Sequence, residues 1–188
     1  MKTAAMITMA AMLGTSVWAK GVSDPVVTVC IDHFADSAVH LAQTEASGIF
    51  SEVGVKVAWR GGRACEASDA IHIHMSDETP RELQPGALAY ALPCQGNHIE
   101  VFCDRVVETV GSATLPHLLA YAHLRAYVLV HEITHILQGI ARHSETGIMK
   151  AHWSVDDFRQ ISTRLLAFEP KDAQLIQLGV KIRAERLL

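Results

Sequence analysis

The sequence predicts a single α+β domain, with short strands and one helix in its first half and helices alone in its second. Three features lead there. Five β-rich runs lie between Pro25 and Cys103, each bounded by turn-forming residues. A nearly all-apolar segment, Leu118 to Leu137, follows, and a helix apolar on every side is a buried one. Beyond Trp153 the apolar residues recur at helical spacing.

Taken in order, Met1 to Ala19 carries one lysine, an apolar run from Ala4 to Val17 and the close Val17-Trp18-Ala19. That is the pattern of a secretory signal peptide, too short in its apolar part to span a bilayer comfortably. No cysteine stands near Ala19 to take a lipid. The expected organisation is a signal peptide, residues 1–19, and one domain, residues 20–188, long enough for a sizeable core. The expected location is extracytoplasmic, secreted or periplasmic.

Pro25 to Ile31 is β-branched and reads as a buried strand. Ser37 to Phe50 repeats Val39, Ala42, Ala46, Ile49 and Phe50 on a helical period, with Asp36 or Ser37 as cap. Val55 to Trp59 alternates and stops at Gly61-Gly62, while Ala70 to Met75 sets Ile71, Ile73 and Met75 on one face. Pro85-Gly86 leads into a short strand, Ala87 to Leu92, and Gln95-Gly96-Asn97 turns the chain into His98 to Cys103. After the long apolar helix, Ser154 caps a helix with Asp156 and Asp157 in its first turn and Phe158, Ile161 and Leu165 as its apolar stripe. Pro170 opens the last helix, Lys171 to Arg186, with Leu175, Leu178 and Ile182 inward; its basic end suits the helix dipole.

Composition narrows the function. Of 188 residues, 49% are hydrophobic, which excludes a disordered chain. A formal charge of −4, without a basic run, gives no footprint for nucleic acid. No other long segment is free of charge, so no membrane association is expected once the signal is removed. Four cysteines, Cys30, Cys65, Cys94 and Cys103, suggest two disulfides in an exported chain, and of three possible connectivities we expect Cys30 with Cys65 and Cys94 with Cys103. None of them stands at the C-x₂₋₄-C spacing of a structural zinc site.

The chemistry concentrates in His131-Glu132-Ile133-Thr134-His135. Histidines at i and i+4 share a helical face and can grip one metal ion, with Glu132 rotated about 100° towards the ion's open side. A catalytic zinc keeps three protein ligands and leaves a position for water. The third ligand must come from outside the pair; His143 is the candidate, Glu145 the reserve and His152 a weaker choice.

From His131 to Met149 the chain resembles the metzincin zinc peptidases: H-E-x-x-H, a glycine, a third histidine, then a tight turn carrying methionine. His143-Ser144 and Gly147-Ile148-Met149 are most similar to the matrixin branch. The spacing departs from that family, with H-x-x-x-G-x-x-x-H here against H-x-x-G-x-x-H, two residues longer before His143 and correspondingly shorter after it. The resemblance implies one zinc ion held by His131, His135 and His143, Glu132 as general base and acid, and Met149 as the Met-turn residue. It implies a twisted five-stranded mixed sheet over the active-site helix, then the Met-turn and carboxy-terminal helices. The function so implied is hydrolysis of peptide bonds in a peptide or protein substrate, through a zinc-bound water and the glutamate. The strand Ala87 to Leu92 would be the substrate-binding edge, and Gly147 to Trp153 would line the pocket past the cleaved bond. The expected mature chain begins within a few residues of its first strand, leaving no room for a matrixin-type latency peptide.

The alternatives are a non-catalytic or metal-handling extracytoplasmic protein of the same fold. Eleven histidines suggest metal handling, but most are scattered. His72 and His74 share a strand face without an evident third ligand, and a solvated face is the expected reading. His33, His40, His98, His117 and His123 carry no assigned role, and Asp104-Arg105 reads as an ion pair or an interface feature.

Overall fold

The structure, a computed structural model, describes residues 26–32, 37–61, 65, 69–83, 85–93, 96–111 and 117–186. The expected signal peptide, the expected cap Asp36, and residues His33 and Cys94 lie outside the described residues.

The elements run β1 (Val26–Ile31), α1 (Ser37–Glu52), β2 (Lys56–Arg60), β3 (Ile71–Ser76), β4 (Ala89–Ala91), β5 (His98–Phe102), α2 (Cys103–Val110), α3 (His117–Gln138), α4 (Val155–Ser162) and α5 (Pro170–Glu185). The strands form one sheet in the order β2-β1-β3-β5-β4. β1 pairs in parallel with β2 and β3, and β3 with β5; β4 alone runs antiparallel, against β5. The connections explain this mixture. A helix carries the chain from β1 back to a parallel β2, whereas β4 and β5 are close enough in sequence to form a hairpin.

Alternation decides the faces. Val27, Val29 and Ile31 of β1, Ile71, Ile73 and Met75 of β3, and Ile99 and Val101 of β5 all turn to one side and are buried. α1 covers them with Val39, Ala42, Ala46 and Phe50, and α3 packs against α1 and β4. α3 is the central element: Tyr127, Leu129, Val130 and Ile133 are at most 1% exposed, as expected of an apolar helix touched on every side. Among the described residues no helix is long and apolar enough to cross a membrane.

Four expectations are corrected. Cys103 does not end the fifth strand; it begins α2, a helix not read from the sequence because Val106, Val107, Thr109 and Val110 are β-branched. Cys103 is also a free thiol, so the pairing with Cys94 is not made, while Cys30 and Cys65 are bridged, with Cα atoms 5.5 Å apart. Leu165 is 71% exposed: α4 ends at Ser162, Arg164 turns the backbone at φ 58°, and Leu166 takes the buried place instead. In α5 the buried positions are Asp172, Ile176, Gly179 and Val180, the later ones one residue out of phase with the expected stripe, and Leu178 and Ile182 face outward. Gly179 explains the shift. A β-carbon there would stand 1.7 Å from the Leu137 carbonyl oxygen, so α5 lies with its glycine directly on the end of α3.

The other helical signals hold. Ser154 and Asp157 form a reciprocal capping box at the start of α4, and Pro170 opens α5. Asp104 accepts from the Thr79 backbone N–H and hydroxyl at 3.1 and 2.7 Å, and Arg105 donates to the Ala87 carbonyl at 2.9 Å. Each side chain thus ties α2 to a neighbouring loop.

Candidate metal centre

α3 carries His131 and His135 in its last turns, and Gly139, at φ 67°, ends it. The two rings face one another with Nε2 atoms 3.1 Å apart. Each ring is fixed from behind: His131 Nδ1–H donates to the Ile148 carbonyl at 2.9 Å, and His135 Nδ1–H to the Ile140 carbonyl at 3.2 Å. The chain then loops back to place His143 against both, with ring centroids 5.4 Å from His131 and 5.0 Å from His135. Ligand atoms of all three lie within 4.8 Å of one another.

The donor set fits a metal ion. A carbonyl only accepts, so both Nδ1 atoms carry the ring proton and both Nε2 atoms present lone pairs. Two lone pairs facing at hydrogen-bond distance need a cation between them. A proton does not supply it. Burial, then the neighbouring His135, pushes His131 down to about 3, and burial likewise lowers His135 and His143. Three neutral imidazoles converging with a free corner suit zinc.

Glu132 projects beside this group from the same helix and is 8% exposed. Burial pushes its carboxyl up to about 8, opposed by a hydrogen bond from the Ala91 backbone N–H. A divalent cation alongside would draw it back towards the ionised form.

The site opens into a cleft of about 530 Å³. Its floor is His131, Glu132, His135 and His143; one wall is Pro85 to Ala91, including β4, and the other runs from Lys150 to Trp153. Leu88 O accepts from Phe102 N in the hairpin, so the alternate residues Ala89 and Ala91 turn their backbone groups away from β5. Apart from the Ala91 N–H, which bonds Glu132, β4 thus presents an unpaired sheet edge beside the three rings. Val128, Trp153 and Phe158 make the cleft apolar at depth, and Trp153 stands edge-on to His131 at 5.8 Å.

Behind His143 lies a network that sequence reasoning missed. Asp172, fully buried at the start of α5, accepts from Arg142 Nη1 at 2.5 Å and Ser144 Oγ at 2.7 Å, while Arg142 Nη2 reaches Ser144 Oγ at 3.2 Å. Both neighbours of His143 in the chain are therefore held by one carboxylate on a distant helix. Next comes a tight turn in which Ser144 N donates to Met149 O at 2.7 Å and Ile148 N to Ala167 O at 3.0 Å. Gly147 is obligatory there: φ is 74°, and a β-carbon would meet the Ala167 carbonyl at 2.4 Å. Met149 is wholly buried on this turn. Of the remaining candidates, Glu145 is exposed and outside the three-histidine group, and His152 lines the cleft near His143 without joining it.

Fold and site together define an α+β protein with a five-stranded mixed sheet, a central helix ending at two convergent imidazoles, and a turn that supplies a third. No protein-family model matches the sequence, and no curated protein sequence matches it. Among solved structures the chain is similar to an archaemetzincin from Methanopyrus kandleri, with a TM-score of 0.57 and 16% identity, over 85% of this chain and 97% of that one. At that identity the likeness is one of fold.

Proposed function

We infer that the protein is an exported zinc-dependent endopeptidase. One observation carries this reading: three neutral imidazoles converge on the floor of a cleft, beside a buried glutamate and under the free edge of β4. A zinc held by His131, His135 and His143 would supply a Lewis acid that acidifies water and polarises the scissile carbonyl. Glu132 takes the proton from the attacking water and returns it to the leaving amine. Its apolar surroundings and the Ala91 N–H hold the carboxyl in place for both transfers. An extended substrate adds to the sheet along Ala89 and the Ala91 carbonyl, the Ala91 N–H being taken by Glu132, with main-chain hydrogen bonds setting its register. The side chain past the cleaved bond enters the apolar depth between Val128, Trp153 and Phe158. Met149 is the buried core of the turn that carries Ile148 to His131. A structural or metal-storing site has no use for a buried base, which favours catalysis over the non-catalytic reading. The Cys30–Cys65 bridge suits an oxidising, extracytoplasmic compartment.

Glu132→Ala is the test. The variant should keep one zinc per chain by metal analysis and lose cleavage of a peptide library by about 10²–10⁴-fold. Cleavage equal to the parent's would end this mechanism. His143→Ala should lose zinc and Glu145→Ala should not.

A further inference from the structure

The outer face of the sheet carries a second set of ligating side chains. Parallel pairing of β3 with β5 sets His72 opposite His98 and, one rung on, His74 opposite Glu100. Alternate residues share a face, and Ile71, Ile73, Ile99 and Val101 are buried on the other one. All four polar side chains therefore project from the same side of two adjacent strands, about 4.8 Å apart. With the Cys30–Cys65 bridge they line an open cavity of about 620 Å³.

Two features make this more than a wetted strand face. The His72 and His98 rings are stacked, 5.3 Å between centroids and 24° between planes, and among the described residues their nitrogens make no hydrogen bond. The adjoining rung is oriented by outside partners. Asp32 Oδ2 accepts from His74 Nδ1 at 2.5 Å, which leaves the Nε2 lone pair of His74 directed outward. The Tyr90 hydroxyl donates to Glu100 Oε2 at 2.9 Å, leaving the other carboxylate oxygen available. A carboxylate behind an imidazole is the arrangement that fixes a metal-binding tautomer.

We propose that His72 and His98, with His74 and Glu100 on the next rung, form a second metal site, for a divalent transition ion. Imidazole and carboxylate donors select zinc or, more tightly, copper over calcium or magnesium. The two rings stack now instead of converging; both stand on the accessible side, and binding needs rotation about their side-chain bonds to bring ring nitrogens to the roughly 2.0–2.1 Å that zinc requires. An ion there clasps β3 to β5 on the face opposite the cleft. The site is independent of peptidase activity, since none of its residues belongs to the first centre.

The experiment starts from protein already holding one zinc per chain, titrated calorimetrically with zinc chloride. The parent should bind a second equivalent, and its thermal midpoint should rise with added zinc. The His72→Asn/His98→Asn double variant should bind no second equivalent and show no rise. A parent that saturates at one ion, or a double variant that binds two with parental affinity, overturns the proposal. Should the double variant misfold, substoichiometric copper added to the parent decides: broadening of the His72 and His98 ring resonances first is the expected result, and broadening at His40 or His152 first refutes it.

Discussion

Asp172 shows how far the placement of His143, the third histidine of the group, depends on residues outside that group. Its carboxylate sits without solvent access between Arg142 and Ser144, the two neighbours of His143. Removing it leaves the Arg142 guanidinium without its counter-charge and frees both flanks of His143. Breaking a buried ion pair costs about 3–5 kcal/mol, and Arg142, 27% exposed, recovers part of that from water. We expect Asp172→Ala to destabilise the protein by about 2–3 kcal/mol in urea, and to weaken zinc binding by about tenfold, at the lower end for partners that orient a ligand. Asp172→Asn, which still accepts from Ser144, should fall between variant and parent in both measurements. Unchanged zinc affinity in the alanine variant would make the network merely structural. The histidine pair and its neighbouring glutamate were legible in the sequence because helical spacing alone juxtaposes His131, Glu132 and His135. Asp172 was not, because it stands 30 residues from Arg142 and only the docking of α5 brings them together.

That docking is a property of helices, and here local rules were followed unevenly. The capping box of α4 was readable because its partners are three residues apart. The phase of α5 was not, because its contact point is Gly179, which no count of apolar residues selects. α2 was missed for a related reason: Val106 and Val110 form an apolar pair at i and i+4, but β-branched composition speaks for a strand, and packing beneath α3 overrides it. The cap of α4 makes a prediction with a pH signature. Burial tends to raise the Asp157 carboxyl, but hydrogen bonds from Lys150 and Ser154 outweigh it and hold the group below the ordinary 3.8. A depressed carboxyl stabilises the fold above its unfolded value and loses that contribution as pH falls through the folded one. Parent protein should therefore lose stability below about pH 4 from this group, and Asp157→Asn should flatten that part of the profile in thermal melts from pH 7 to pH 2. Ser154→Ala, which removes the hydroxyl from the same box, should cost about 1 kcal/mol at neutral pH. An unaltered acid limb in Asp157→Asn would show that the pair with Lys150 contributes nothing.

Across the full fold, the strands were legible because alternation specifies which residues face the core, and the strand order follows from which connections contain a helix. Parallel pairing then produced what periodicity could not foresee, the meeting of His72 with His98 from strands separated by β4. The same sheet divides the molecule into a cleft side and an outer side, and the Cys30–Cys65 bridge lies on the outer side, lining the cavity of His72 and His98. It ties β1, the second strand in the sheet, to the segment after β2, closing a loop with a sequence separation of 35. Cross-links of that span restrict the unfolded chain by about 3–4 kcal/mol. In a domain of this size each kcal/mol moves the melting temperature by about 2–4 °C. The Cys30→Ser/Cys65→Ser variant should therefore melt about 10 °C below the oxidised parent. Because α3 and the turn that carries His143 hold their geometry through Ile148, Ile140 and Asp172, none of which the bridge touches, folded variant should still bind zinc at the three-histidine centre with parental affinity. Calorimetric unfolding and metal analysis on the same sample separate the two effects: loss of zinc from folded, unbridged protein would mean that the outer strands, and not the helices, hold the site in register.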